Sequence, residues 1–238
     1  MTSVHTPDTR VVHVHDSDPA PYSRALRIAT GLCLVLGGLL NGLPQYLVEV
    51  LLGDMEFIEQ VEWGTTHLAL HRTEQLAILV SVLFIPLGLL GLAHVTRWRA
   101  PRLTLVGTPL MLWGMWGFNN VLAMGYVSGT VAPLFLPLQQ ALALHEGLPG
   151  EPGVVATALV PHLVGSFFGV MLLTLAAWRS RLFSPVPCVL VLVFLVWDFL
   201  LPAAGPLEPH LLLAVAFTWM GITILRMPAD VWHRGGTS

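Results

Sequence analysis

The chain has 238 residues, of which 55% are hydrophobic and only 11% charged, and its mean hydropathy is +0.73. Soluble domains carry roughly 25% charged residues. A chain this apolar cannot clothe its surface with polar groups, so lipid is its expected solvent. The net charge of -3 offers nothing to a polyanion and argues against a nucleic-acid partner.

Residues 1–22 are polar, rich in Asp and His, and lack an apolar core of the signal-peptide kind. They are expected to form a disordered cytoplasmic tail, in which His13-Val-His15-Asp16 reads as solvated chain, with weak metal binding as the alternative. Six apolar stretches follow, at about Ala25 to Leu52, His67 to Val95, Leu103 to Val127, Val154 to Trp178, Val186 to Leu201 and Leu211 to Met227. A span needs roughly 20 apolar residues. The expected fold is therefore all-α: a polytopic membrane bundle of six transmembrane helices over 23–229, with a short cytoplasmic tail over 230–238. The connection from Ser128 to Gly153 is long, and its segment Pro133 to His145 is apolar but too short to span. It reads as an interfacial or re-entrant helix between spans three and four.

Arginine sets the orientation. All eleven basic side chains are arginine, with no lysine, a bias that suggests a GC-rich bacterial genome and hence a bacterial plasma membrane. Ten of them fall before span one, between spans two and three, between spans four and five, or after span six. The alternate connections instead carry Asp54, Glu56, Glu59, Glu62, Glu146, Glu151 and Glu208. The positive-inside rule then puts both termini in the cytoplasm. Trp98, Trp178 and Trp232 fall at the cytoplasmic interface. Cys33 and Cys188 fall near the cytoplasmic ends of spans, where free thiols are expected.

Polar groups inside spans are costly and tend to face the bundle interior. In this sequence nearly all of them fall in the outer half. Span one carries Asn41, Gln45 and Glu49 at a four-residue spacing, one stripe of a helix. Span two opens with His67, His71, Arg72, Glu74 and Gln75. Span three ends with Asn119, Asn120 and Tyr126. His162 lies about 12–14 Å below the outer start of span four, with Ser166 one turn deeper. Span five ends in Trp197-Asp198, and His210 opens span six. The economical expectation is a polar cavity within the bundle, open outward and fed by all six spans. Gly165 and Gly169 read as a close-packing pair.

Three chemistries fit such a cavity. One is a membrane enzyme working by acid–base catalysis on an apolar lipid or isoprenoid, of the isomerase or cyclase type. Its candidate catalytic groups are Glu49, His71, Glu74, His162 and Asp198, and Trp113, Trp116, Trp197, Asn119, Asn120 and His210 would bind substrate. The second is a haem- or metal-binding redox protein with His67, His71 and His162 as ligand candidates. The third is a non-catalytic binding, sensing or transport protein. Asp198 is expected to face the bundle and meet His71, His162, His210 or Arg72. The sequence names no cofactor. Its expected partners are membrane lipid and an apolar small molecule.

The stretch Val193 to Pro209, with FLVWDFLLPAAGPLEP as its core, resembles the tryptophan–aspartate and proline–leucine–glutamate elements of small membrane-embedded carotenoid and terpenoid cyclases. In those families membrane acids protonate an isoprenoid, so the resemblance implies Asp198 and Glu208 as proton donors. Pro209 stands where the carotenoid cyclases have a second acid. The short basic connections, such as RWRAPRL, make the whole chain similar to uncharacterised actinobacterial multi-pass proteins.

Overall fold

A computed structural model of the chain describes residues 21–53, 55–201 and 208–234. The N-terminal histidine run, Asp54 and the proline-rich stretch 202–207 lie outside the described residues, as do the last four residues. Every described element is a helix, and no strand occurs among the described residues. The order is α1 (Pro21–Leu52), α2 (Phe57–Thr66), α3 (Leu68–Thr96) and α4 (Pro101–Tyr126). A wider, π-type stretch at Val127–Val131 leads into α5 (Ala132–Phe135) and α6 (Leu138–Gly147). Then α7 (Pro152–Val154) continues through two more π-type stretches, Val155–Leu159 and Pro161–Ser166, into α8 (Phe167–Ser180). The chain finishes with α9 (Pro185–Leu200), α10 (His210–Arg226) and α11 (Ala229–Arg234).

Three helices are long and apolar enough to cross a membrane: Ser23–Leu52, Leu68–Thr96 and Pro152–Ser180. The other three expected spans fall short for different reasons. Helix α9 has 16 residues and α10 has 17, which at 1.5 Å per residue reach roughly 24–26 Å, against a hydrocarbon core of about 30 Å. Helix α4 has 26 residues, but Thr, Pro, Gly and the Asn119-Asn120 pair dilute its apolar character.

Local sequence explains the helix ends. Pro101 and Pro185 sit in the first turns of α4 and α9, where a missing N–H is harmless. Ser184 caps α9 by accepting from the Val186 N–H. Helix α8 closes in the left-handed conformation at Arg181, with φ 57°. Glycine usually holds that position. A side chain there costs about 1–2 kcal/mol.

Helix α1 packs between α10 and α3, α4 packs on Pro161–Ser166 and α8, and α9 joins α8 to α10. The α4–α8 contact is backbone against backbone. A Cβ on Gly114 would come 2.0 Å from the Ser166 nitrogen, and one on Gly169 would come 2.2 Å from the Met111 nitrogen. The reading of Gly165 and Gly169 as a packing pair is thus borne out, with Gly114 as the facing notch.

The fully buried core lies toward the arginine-rich end, among Leu34, Leu89, Leu92, Met111, Leu173, Met220 and Ile224. Trp232 belongs to it. Of the three indoles expected at the interface, Trp98 and Trp178 are 58% and 44% exposed, whereas Trp232 is buried at 2%. Its ring stacks on His94 at the end of α3, with centroids 4.5 Å apart. Around it, Trp98 Nε1 donates to the His233 carbonyl at 3.1 Å, and Ser23 Oγ lies 2.7 Å from His233 Nε2. Arg27 donates to the Met227 carbonyl. Helix α11 is therefore tied to α1 and α3. Cys33 and Cys188 are free thiols.

Candidate functional site

Above that core, toward the acidic end, the bundle encloses a small cavity of about 50 Å³. This is below the usual range of small-molecule sites, about 300–1,000 Å³, so a larger occupant must part the walls or extend through the mouth. Ile85, Met115, Phe194, Leu213 and Phe217 supply apolar wall, and Asn41, His162, Ser166, Asp198 and His210 supply the polar groups. All the principal helices contribute wall, but the titratable groups come from three places: the Pro161–Ser166 stretch, α9 and α10.

Pro161 explains the position of His162. Proline has no N–H for the Thr157 carbonyl one turn earlier, so regular α-helical bonding cannot continue. The helix widens to π-type turns here, a form that recurs at functional sites. Asn120 Nδ2 donates to the orphaned Thr157 carbonyl at 2.9 Å, as neighbouring helices do for proline-broken spans. His162 then lies between two rings. Phe118 of α4 stacks on it at 5.0 Å, and Phe199 of α9 leans on it at 5.3 Å. Its Nδ1 is 3.2 Å from Ser166 Oγ, which fixes the ring and leaves Nε2 as the nitrogen free for other chemistry.

Asp198 and His210 meet at the cavity wall. Asp198 Oδ1 lies 3.7 Å from His210 Nε2, and the two side chains are 25% and 12% exposed. Glu208 Oε1 lies 2.5 Å from His210 Nδ1, and Glu208 Oε2 accepts the His210 backbone N–H at 2.6 Å. The order Glu208–His210–Asp198 is a carboxylate–imidazole–carboxylate line ending at the cavity. Of the four basic partners expected for Asp198, His210 is the one it meets. Phe194 packs edge-on against the His210 ring at 5.1 Å. On the opposite side, Asn41 is 1% exposed. It donates to Ser81 Oγ at 3.4 Å and accepts from Gln45 Nε2 at 3.1 Å.

The other sequence candidates do not reach this cavity. His71 forms a separate rim cluster. Its Nε2 is 3.0 Å from Thr130 Oγ1, its Nδ1 is 3.5 Å from Glu74 Oε2, and Trp63 packs edge-on against its ring. Gln75 donates to Glu74. His67 stacks on Trp63 at 4.6 Å. Glu49 lies over Gly53 at the end of its own helix. Arg72 is exposed, with no carboxylate at ion-pair distance among the described residues. Asn119 is exposed and Trp197 half-buried. Trp113 and Trp116 of α4 are 39% and 51% exposed; the aromatic wall is built from phenylalanines instead. Convergence on a single cavity is therefore partial. Nor do His67, His71 and His162 share one centre. Among the described residues no group of three or more His, Cys, Asp and Glu side chains is placed to hold a metal ion.

The fold and site define an all-α bundle with membrane-length helices around an aromatic, acid- and histidine-bearing cavity. No family model, curated protein or solved structure matches the chain.

Proposed function

We propose that the chain is a six-span plasma-membrane enzyme that performs acid–base chemistry on an apolar isoprenoid or unsaturated lipid. Both termini lie in the cytoplasm, and the cavity opens to the outer side. The observation that carries this reading is the Glu208–His210–Asp198 line, which delivers ionisable groups to a mainly apolar cavity whose wall includes Phe118, Phe194, Phe199 and Phe217. An inert apolar pocket needs no such line.

The step follows from the groups available. The protonated carboxyl of Asp198 gives its proton to one carbon of a carbon–carbon double bond, leaving a carbocation on the other carbon. Phenylalanine faces stabilise that cation through their π-electrons. His162 Nε2 takes a proton from a neighbouring carbon, either directly (isomerisation) or after a second double bond has attacked the cation (cyclisation). This role needs the tautomer with Nδ1–H donating to Ser166 Oγ. His162 releases its proton to water at the mouth, and Asp198 regains one through His210. No electrons are exchanged.

Short α9 and α10 are accommodated in this reading by their polar outer ends, which open onto water in the cavity mouth. A periplasm-active reporter fused after Ser238 is expected to stay silent and a cytoplasm-active one to report. The reverse pattern overturns the topology.

Catalysis is tested by supplying membranes that contain the protein with linear polyprenes in D2O. Carbon-bound deuterium is expected in the recovered polyprene, above that from membranes lacking the protein. Bound polyprene without exchange would convert the reading to a non-catalytic binding protein.

A further inference from the structure

A second recess lies at the opposite, basic end of the bundle, between the start of α4 and the end of α8. Arg99, Arg179 and Arg181 line it together with Leu103, Leu175 and Trp178. Its volume is about 740 Å³, and it is open to the surroundings. Arg99 comes from the α3–α4 turn and donates from Nη1 to the Ser180 carbonyl at 3.0 Å, which ties the two rims together. Among the described residues no carboxylate lies at ion-pair distance from Arg179 or Arg181. The chain also accepts the left-handed backbone at Arg181 where glycine would fit without strain. That choice keeps a guanidinium at the rim, and backbone strain of this kind collects at ligand sites.

The chemistry of the lining is divided. Three guanidiniums supply the charge, and guanidinium is the group best matched to phosphate oxygens, through paired N–H donors. Leu103, Leu175 and the 44%-exposed Trp178 supply the apolar lining, with Leu103 and Leu175 each four residues away in sequence from Arg99 and Arg179 respectively. A ligand that fits both is anionic at one end and hydrocarbon at the other. Basic pockets between spans on the cytoplasmic side hold lipid headgroups in this way.

We infer that this recess is a binding site for an anionic phospholipid of the cytoplasmic leaflet. Its phosphodiester lies among Arg99, Arg179 and Arg181, and an acyl chain runs over Leu103, Leu175 and Trp178. The inference rests on the membrane placement proposed above, and is independent of the cavity's chemistry.

The full chain is reconstituted into phosphatidylcholine nanodiscs with and without phosphatidylglycerol, and lipid retained by the protein is counted by native mass spectrometry alongside Tm. Incorporation into pure phosphatidylcholine discs tests the membrane placement by itself. Phosphatidylglycerol is expected to be retained in preference to phosphatidylcholine and to raise Tm. The double variant Arg179→Gln/Arg181→Gln is expected to lower that preference by about tenfold or more, given the worth of each basic group at a lipid surface. Arg24→Gln/Arg226→Gln removes two exposed arginines of the same end outside the recess and leaves the preference unchanged. Arg181→Gly separates capping from binding. It relieves the backbone and so holds or raises Tm in phosphatidylcholine, yet weakens retention of phosphatidylglycerol. The proposal is overturned by equal retention of the two lipids, by equal losses in the two double variants, or by full retention in Arg181→Gly. It is equally overturned if inorganic phosphate added to phosphatidylcholine discs gives the same rise in Tm.

Discussion

Replacing Asp198 with Asn is expected to cut deuterium incorporation into polyprene by about 10²- to 10⁴-fold, the range associated with loss of a general acid, while the protein remains folded and inserted. The split between activity and stability follows from the geometry. Asparagine keeps the shape and hydrogen-bonding capacity of aspartate but has no acidic proton to give. His210 retains its shorter contact with Glu208, 2.5 Å against 3.7 Å to Asp198, so no imidazole is stranded. The change in stability should therefore stay below about 1 kcal/mol, as for loss of a long, partly exposed polar contact. Incorporation rates and thermal denaturation of the same preparation check both halves. A large loss of Tm with incorporation per folded molecule intact would assign Asp198 a purely structural role.

Gly114→Leu is expected to be among the most damaging changes to the fold. The first side-chain carbon alone would fall 2.0 Å from the Ser166 nitrogen and 2.3 Å from the Gly165 carbonyl carbon, and neither atom belongs to a flexible side chain. Overpacking of this kind costs about 3 kcal/mol. It would also part α4 from the stretch that holds His162, so the stacking on Phe118 should be lost with it. Gly125→Ala is the control. It lies on the same helix, with nothing within 4 Å of the added carbon, and should leave Tm unchanged or slightly raised. Thermal denaturation in nanodiscs reads the difference. Equal Tm values for the two variants would contradict the close helix contact.

The contrast between these residues shows what a sequence of this kind exposes. Depth was legible: spacing along each apolar stretch placed Asn41, His162, Asp198 and His210 toward the same end, and the structure joins them in one cavity. The Asp198–His210 meeting was within reach because a short connection links their helices, which brings the facing ends together. Which way a residue faces was less legible. Helix α4 carries large apolar side chains on several faces, so its pattern could not tell Phe118, which faces His162, from Trp116, which is 51% exposed. The large indoles drew attention and the smaller rings form the wall. Nor could spacing pair His71 with Thr130, because Thr130 sits on a π-type turn, where the register of an ordinary helix no longer applies. Pro161 and Asn120 were visible singly. Their connection through the Thr157 carbonyl needed the fold.

The most direct test of the central claim is to map where an apolar substrate sits. A polyprene carrying a diazirine on its terminal isoprene unit is irradiated with the protein in nanodiscs, and the adducts are located by peptide mass spectrometry. Adducts concentrated on Met115, Phe118, Phe199 and Leu213, and competed away by unlabelled polyprene, are the predicted result. Adducts confined to outward-facing positions such as Leu83, Leu105 and Trp116, 66%, 76% and 51% exposed, with none in the cavity, would contradict it.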